Sequence, residues 1–237
     1  MNLFTSDIDW APEEVIADTI SLFDKYNVKC TFFCTHPSSV IDSIRSDKAF
    51  ELGIHPNFLP VIDKQEGTVE EAIERVLEIV PDAKGVRSHS LVQSTPLLNS
   101  FKQYGLLYES NTILPYRNEI APIKLWNGLV KVIHNFEDDI HFMYSNSFDE
   151  PIIDTTSSSL NIFCIHPIHV FLNTDCEATY NNARKHYQVP KELLKLRNNK
   201  VTGTRDLLIK LLEQHNSVFN SNSFTVFEYL KSNNFFN

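Results

Sequence analysis

The sequence predicts an α/β fold built on a parallel sheet, either open or closed. Short runs of β-branched and aromatic residues alternate with segments of helical periodicity along most of the chain, which is typical of βαβ units. Only 6 glycines occur among 237 residues, so tight hairpins between antiparallel strands should be few. The hydrophobic fraction of 42% is sufficient for a sizeable core, and no repeat or long linker divides the chain. We therefore expect a single domain over residues 1–237.

Seven segments have the composition of strands. The clearest is 28–34, in which β-branched and aromatic residues follow one another. Its two cysteines, Cys30 and Cys34, are expected to be core residues rather than reactive thiols. The predicted strands are 3–5, 28–34, 50–54, 84–87, 106–108, 129–133 and 161–165.

Apolar spacing and capping residues mark the helices between these strands. Val69, Ile73 and Val76 recur at helical spacing, and Thr68 before them is a helix-capping residue. The end of the chain is helical as well and forms a C-terminal segment after the last predicted strand. The predicted helices are 12–26, 37–45, 68–80, 94–105, 204–214 and 225–231.

Composition and charge exclude several classes of protein. Lys and Arg number 21 against 30 Asp and Glu, a formal charge of −9, so we predict no nucleic-acid partner. The sequence contains no apolar stretch of the length that spans a bilayer, and its first residues lack the pattern of a signal peptide. Four cysteines occur without the spacing of a disulfide scaffold. We expect a cytoplasmic protein with reduced thiols and no membrane span.

Ionisable residues stand at the ends of five predicted strands. The carboxyl ends of parallel strands form the functional face of α/β barrels and of open sheets. Packing alone does not explain Asp, His or Arg at so many of these ends, so we predict that the side chains form one site. The residues are Asp7 and Asp9, His36, His55, Arg87 and His89, and His166.

The residue types in this set indicate a particular chemistry. Side chains two residues apart on a strand point to the same side, so Asp7 and Asp9 could act together, one as a cation ligand and one as a free base. Two His and one Asp complete an open three-ligand site for a divalent metal. A guanidinium would keep the free carboxylate ionised, and a protonated His would donate to a leaving group. This inventory describes metal-assisted hydrolysis of an amide or ester.

Five short motifs occur in the order that one enzyme family shows. They are Thr-Ser-Asp-Ile-Asp-Trp-Ala-Pro at 5–12, Lys-Cys-Thr-Phe-Phe-Cys at 29–34, Glu-Leu-Gly-Ile-His-Pro-Asn-Phe at 51–58, Gly-Val-Arg-Ser-His at 85–89 and Ile-His-Pro at 165–167. Over 3–172 the chain resembles polysaccharide deacetylases of the NodB-homology type, carbohydrate esterase family 4. It is similar in particular to the variant associated with bacterial surface polysaccharides, including O-antigen. The resemblance implies a distorted (β/α) barrel of about seven parallel strands.

The resemblance also implies a role for each residue of the site. Asp7 would be the general base, paired with Arg87. Asp9 would be a metal ligand, and His55 matches the first His of the family's second motif. His166 would be the general acid.

Two roles are less directly matched. Family members carry a second ligand His four residues after the first, where this chain has Leu59, and we assign the missing ligand to His89. In the family an Asp between the Arg and His motifs orients the acid. We assign it to Asp139, with the neighbouring Asp138 as the other possibility.

Structural explanations remain open beside these roles. Asp7 and Asp9 could cap the helix that begins near Pro12. His55 and His89 could be ordinary loop residues.

The predicted function follows from the resemblance. It is removal of acetyl groups from an N- or O-acetylated sugar, free or on a nucleotide or lipid carrier, with a divalent metal as cofactor and Zn²⁺ as the expected ion. The alternatives are a sugar-binding protein that has lost catalysis, which Leu59 favours, and a metal-dependent hydrolase of a non-sugar amide.

Overall fold

A curled sheet lies at the centre of the fold. The structure is a computed structural model that describes residues 1–144, 147–149, 153, 155, 159–219 and 222–236. Within these residues the strands are β1 (Asn2–Asp7), β2 (Cys30–Cys34), β3 (Phe50–Ile54), β4 (Gly85–Val86), β5 (Tyr108–Ile113), β6 (Ile123–Lys124), β7 (Val130–His134), β8 (Phe136–Glu137) and β9 (Asn161–Ile165).

Helices connect the strands and form the C-terminal third of the chain. They are α1 (Glu13–Tyr26), α2 (Ser39–Ile44), α3 (Leu59–Lys64), α4 (Val69–Leu77), α5 (Thr95–Gln103), α6 (Asp138–Met143), α7 (Pro167–Leu172), α8 (Glu177–Ala183), α9 (Pro190–Leu196), α10 (Thr204–Phe219) and α11 (Val226–Ser232). Single 3₁₀ turns occur at His89–Leu91 and Arg184–His186.

The strand order confirms the predicted barrel. The sheet runs β6-β7-β5-β4-β3-β2-β1-β9-β8, and in the described part of the chain only the β6–β7 pair is antiparallel. Asn135, between β7 and β8, joins the two sides of the curl: its amide donates to the Ile162 carbonyl at 3.0 Å, and its Oδ1 accepts from the Ile162 amide at 2.9 Å. The sheet is therefore a distorted (β/α) barrel. The seven predicted strands are all present, and the short β6 and β8 are additions.

Side chains alternate between the inside of the barrel and the helices around it. In β1, Phe4 packs outward in the large cluster beneath the helices, whereas Leu3 belongs to a smaller cluster inside the barrel. Aromatic rings fill this interior where glycine leaves room: a Cβ on Gly85 would lie 2.0 Å from the Tyr108 ring. The first turn of α11 covers the amino-terminal end of the barrel, since the Val226 amide donates to Thr31 Oγ1 at 3.0 Å.

One strand differs from its prediction. The apolar run at 106–108 predicts a strand there, but β5 begins at Tyr108 and continues through four polar residues to Ile113. Hydrogen bonds to two of these residues compensate in part for their burial. Ser110 accepts from Arg87, and Asn111 Oδ1 accepts from the Ser88 amide at 2.6 Å.

Candidate active site

The chain turns sharply after β1. The strand ends at Asp7, and Asp9 and Trp10 adopt left-handed backbone conformations with φ of 39° and 56°. Such conformations cost about 1–3 kcal/mol each and persist only where the surroundings hold them. The spacing predicts that Asp9 lies on the strand with Asp7, and this prediction is wrong. Asp9 lies in the turn after the strand, and the turn brings its carboxylate back over the strand ends. The capping alternative is wrong, because α1 has Pro12 as its N-cap and both carboxylates bond to other partners.

Asp9, His55 and His89 converge at the carboxyl ends of the strands. Oδ1 of Asp9 lies 3.1 Å from Nε2 of His55 and 3.2 Å from Nδ1 of His89. One potential ligand atom from each residue lies within 4.8 Å of the others. One carboxylate oxygen and two imidazole nitrogens that face each other form a suitable donor set for Zn²⁺ and other first-row dications. The residues present therefore fit the cation that the resemblance implies.

His89 lies beside His55 although the two residues come from different loops. Leu59 begins α3, and the chain there supplies no imidazole. The 3₁₀ turn after β4 brings His89 in from another loop, where its amide donates to the Pro56 carbonyl at 3.0 Å. The rings of His55 and His89 lie 5.5 Å apart, nearly perpendicular. Two loops that are distant in sequence thus contribute the two imidazoles.

Asp7 is a buried carboxylate held by Arg87. Nη1 of Arg87 donates to Oδ1 of Asp7 at 2.8 Å, and Nδ1 of His55 lies 3.8 Å from the other oxygen. Burial alone would raise the pKa of Asp7, but the charges of Arg87, His55 and His166 outweigh it and keep this pKa below its usual range. The carboxylate is therefore ionised and oriented, as a base must be.

Arg87 is completely buried inside the barrel. Besides Asp7, its Nη1 donates to Thr5 Oγ1 at 2.9 Å and to Cys164 Sγ at 3.0 Å. Nε and Nη2 donate to the Ser110 carbonyl and hydroxyl at 3.0 and 2.9 Å, and the guanidinium lies 4.6 Å from the Phe33 ring centre. Strands β1, β2, β5 and β9 thus supply its partners. No pattern in the sequence indicates these partners, because Thr5, Ser110 and Cys164 are ordinary strand residues.

His166 stands on the other side of Asp9. Its Nε2 lies 3.7 Å from Oδ2 of Asp9, and its Nδ1 lies 2.6 Å from Oδ1 of Asp138. The second Asp138 oxygen accepts from the His166 amide at 2.9 Å, so the carboxylate holds both ring and backbone. Burial would lower the pKa of His166, but Asp138 outweighs it and raises this pKa well above the usual range. The raised pKa favours the protonated form of the imidazole.

The assignment of the orienting residue to Asp139 is corrected to Asp138. Asp138 begins α6 and is fully buried with its carboxylate on His166, whereas Asp139 is hydrogen-bonded to Glu137. Burial, with the adjacent Glu137, raises the pKa of Asp139 to about 7 even though His166 opposes the shift. Adjacent residues in a helix point in different directions, and the sequence alone could not choose between them.

The other histidines near the strand ends have different surroundings. His36 lies 2.9 Å from Thr35 Oγ1 rather than beside the carboxylates of the site. His169 is buried behind His166, at 5.6 Å between ring centres, and burial lowers its pKa to about 4. His169 is therefore neutral and packs between Phe142 and Tyr180.

Comparison with known proteins identifies the family. The sequence model of the WbmS-like polysaccharide deacetylases matches residues 4–184. The chain belongs to the WbmS-like polysaccharide deacetylase family. Its structure is similar to that of a Bordetella bronchiseptica protein described as a polysaccharide deacetylase involved in O-antigen biosynthesis. The two are 35% identical, the match covers 90% of each chain, and the TM-score is 0.83.

More distant similarities accompany this deacetylase match. The 4-α-glucanotransferase of Thermococcus litoralis is 12% identical with a TM-score of 0.51, over 98% of this chain and 38% of that one, which shows the fold alone. A family 4 acetyl xylan esterase from Clostridium thermocellum, solved with cobalt, is 14% identical with a TM-score of 0.49, over 98% and 90% of the two chains. A search of curated proteins finds no match. Among the described residues of this deacetylase-family chain, no helix has the length and apolarity to cross a membrane.

Proposed function

We propose that this protein is a metal-dependent hydrolase that removes an acetyl group from an N- or O-acetylated sugar in surface-polysaccharide synthesis. One observation carries the proposal: a three-residue donor set lies between an ionised carboxylate and a protonated imidazole. Asp9 is the common neighbour, since its two oxygens face the ligand histidines and His166 respectively. A base beside the attacking water and an acid beside the leaving group both accelerate hydrolysis of an acyl group.

Asp9, His55 and His89 would hold the cation. When bound, it would supply Lewis-acid polarisation of the acetyl carbonyl and increase the acidity of water. Zn²⁺ is the expected ion, although the same donor set accepts other first-row metals. Nε2 of His55 lies beside Asp9, while its Nδ1 lies 3.8 Å from Oδ2 of Asp7.

Asp7 is the general base in this proposal. It accepts a proton from the water that attacks the acetyl carbonyl, while Arg87 keeps the carboxylate in place. The other donors of Arg87 are hydrogen-bonded inside the barrel, so its guanidinium stays in place when Asp7 is protonated and does not reach the substrate. Its role is to position the base.

His166 is the general acid. It donates its Nε2 proton to the departing nitrogen or oxygen of the sugar, while Asp138 remains bonded at Nδ1. This carboxylate stabilises the protonated ring before the reaction and maintains its orientation afterwards. The acid and the base thus have separate supporting residues.

We propose that the acetylated sugar is attached to a phosphate-bearing carrier, either a nucleotide or a lipid. The Bordetella protein is described as acting in O-antigen biosynthesis, which supports a sugar substrate of this type. Arg184 and Lys185 are exposed and lie three and two residues before Tyr187, whose hydroxyl donates to the Asp9 carbonyl at 2.6 Å. Two cations near the site would complement carrier phosphates.

Acetate release from a library of acetylated nucleotide sugars and oligosaccharides tests the proposed function. We expect release by zinc-loaded protein, loss after chelation and recovery when zinc is restored. An Asp9→Ala, His55→Ala double variant should bind no zinc in equilibrium dialysis and release no acetate.

Two outcomes would contradict the proposal. Zinc binding by the double variant equal to that of the wild type would show that the ligand set is wrong. Saturable sugar binding by zinc-loaded wild type, without acetate release from any member of the library, would support the sugar-binding alternative instead.

A further inference from the structure

An exposed tryptophan stands beside the candidate cation ligands. Trp10 directly follows Asp9 and is 38% exposed to solvent, although large aromatic side chains are normally buried. Its ring meets the His89 ring edge to face, with centres 5.1 Å apart. The indole is therefore part of the wall of the site, next to the position at which an acetylated sugar would have to lie.

The backbone of Trp10 is held from both sides. Its amide donates to Thr35 Oγ1 at 3.1 Å, and its carbonyl accepts from Nε2 of Gln188 at 3.0 Å. Tyr187 holds the preceding carbonyl, that of Asp9, at 2.6 Å. These contacts maintain the left-handed conformation, so the exposed indole has a defined position rather than the freedom of a loop tip.

The other tryptophan provides a comparison. Trp126 is 64% exposed, but it lies in the turn before β7, at the amino-terminal end of the barrel. Its backbone has no left-handed conformation, and it lies at the opposite end of the barrel from the catalytic groups. Exposure alone does not distinguish the two residues. Position beside the ligands and a pinned, strained backbone distinguish Trp10.

We propose that Trp10 is the platform on which the sugar ring of the substrate stacks during deacetylation. The faces of a pyranose ring carry C–H groups that pack on an aromatic face, while its hydroxyls point outward to polar partners. An indole fixed beside His89 would hold the ring with its acetyl group toward the cation site. The inference rests on the proposed function and specifies the substrate class as pyranosides.

Fluorescence of a single-tryptophan protein tests this contact without catalysis. The Trp126→Phe variant leaves Trp10 as the one tryptophan, since the chain has 2. We expect N-acetylated pyranosides, including tri-N-acetylchitotriose, to change its emission saturably in chelated, inactive protein. Wild-type protein with both tryptophans should give the same dissociation constant. A saturable calorimetric signal with no change in Trp10 emission would overturn the proposal.

Steady-state kinetics and zinc binding complete the test. Trp10→Ala should raise KM by about tenfold, with kcat and zinc affinity close to wild type, and Trp10→Phe should recover most of the loss. An unchanged KM in Trp10→Ala, with acetate still released, would overturn the platform and leave the deacetylase function intact. Loss of zinc affinity without weaker sugar binding in chelated protein would also overturn it. Sugar-dependent Trp10 fluorescence without acetate release would support the platform and contradict the proposed function.

Discussion

At the scale of single residues, the site depends on charges that are buried but fully paired. A guanidinium removed from water is tolerated only when its donors are satisfied, and Arg87 has partners at each of its nitrogens. These bonds fix the guanidinium beside Asp7, and its positive charge keeps the Asp7 carboxylate ionised. His166 has the complementary arrangement, with Asp138 as its fixed partner.

Removal of the acid or the base should reduce turnover without removing the cation. General acid–base groups contribute about 10²–10⁴-fold, so Asp7→Asn and His166→Ala should each lower kcat by that order. Neither residue belongs to the proposed ligand set, so zinc stoichiometry should remain that of the wild type. Acetate release and zinc content are measured on the same preparations. Near-wild-type turnover by zinc-loaded His166→Ala would mean that another group is the acid.

The third ligand has its own test. His89→Ala should weaken zinc binding because only Asp9 and His55 would remain, and it should leave the unfolding temperature of the chelated protein close to wild type. His36→Ala is the matched control, since its imidazole contacts Thr35 instead. Calorimetric titration with zinc measures both. An unchanged zinc affinity in His89→Ala would eliminate this residue as a ligand.

At the scale of elements, loops after different strands supply the site, and their first residues decide which side chains meet. Helix α6 begins directly after β8, so Asp138 turns toward His166 while Asp139 lies beside Glu137. The left-handed turn after β1 places Asp9 in a similar way. In both cases a local change in backbone direction, rather than strand alternation, sets the geometry.

Asp139 should make the stability depend on pH. Burial raises its folded pKa to about 7, above the usual value of 3.8, so the folded state holds a proton that the unfolded state releases. Below pH 3.8 the carboxyl group is protonated in both states and does not reduce the free energy of unfolding. Between the two pKa values, each unit of rising pH lowers this free energy by about 1.4 kcal/mol. Asp139→Asn should remove this loss, so its unfolding temperature should exceed that of wild type more at pH 8 than at pH 5. An equal difference in unfolding temperature between variant and wild type at both pH values would contradict the raised pKa of Asp139.

The segment after α8 should position Asp9. Tyr187 lies outside the range matched by the family model, yet its hydroxyl bonds to the Asp9 carbonyl. A hydrogen bond contributes about 1 kcal/mol, so Tyr187→Phe should weaken zinc binding by about fivefold. Tyr104→Phe is the control, because it removes a 2.8 Å bond to Glu74 at an exposed position. Equal zinc affinities in the two variants, measured by competition with a chelator, would exclude this role.

At the scale of the whole molecule, the two ends of the barrel differ: one carries the polar site and the other is part of the apolar core. Its carboxyl end carries the polar site, whereas its amino end is filled with apolar residues and covered by α11. Leu230 of that helix is completely buried in the inner cluster, near Leu3 and Val226. The helical C-terminal segment that the sequence predicts is thus part of the core.

Truncation at this position should affect stability alone. Leu230→Ala should lower the free energy of unfolding by about 2–5 kcal/mol, because it leaves a cavity between α11 and the strands. Lys231→Ala, at an exposed neighbouring position, should have little effect. Denaturant unfolding measures both, and zinc affinity should remain unchanged in both. A loss below 1 kcal/mol for Leu230→Ala would mean that α11 contributes little to the core.

The sequence by itself determined the α/β class, the positions of seven of the nine described strands and the ionisable residues that follow five of them. These features depend on local periodicity and on one rule, that parallel strands end on a common face. Only the tertiary structure decided the extent of β5, the left-handed turn at Asp9, the choice of Asp138 over Asp139 and the partners of Arg87. Each of these depends on a buried polar group finding a partner distant in sequence, and hydrogen bonding of that kind leaves no local pattern in the chain.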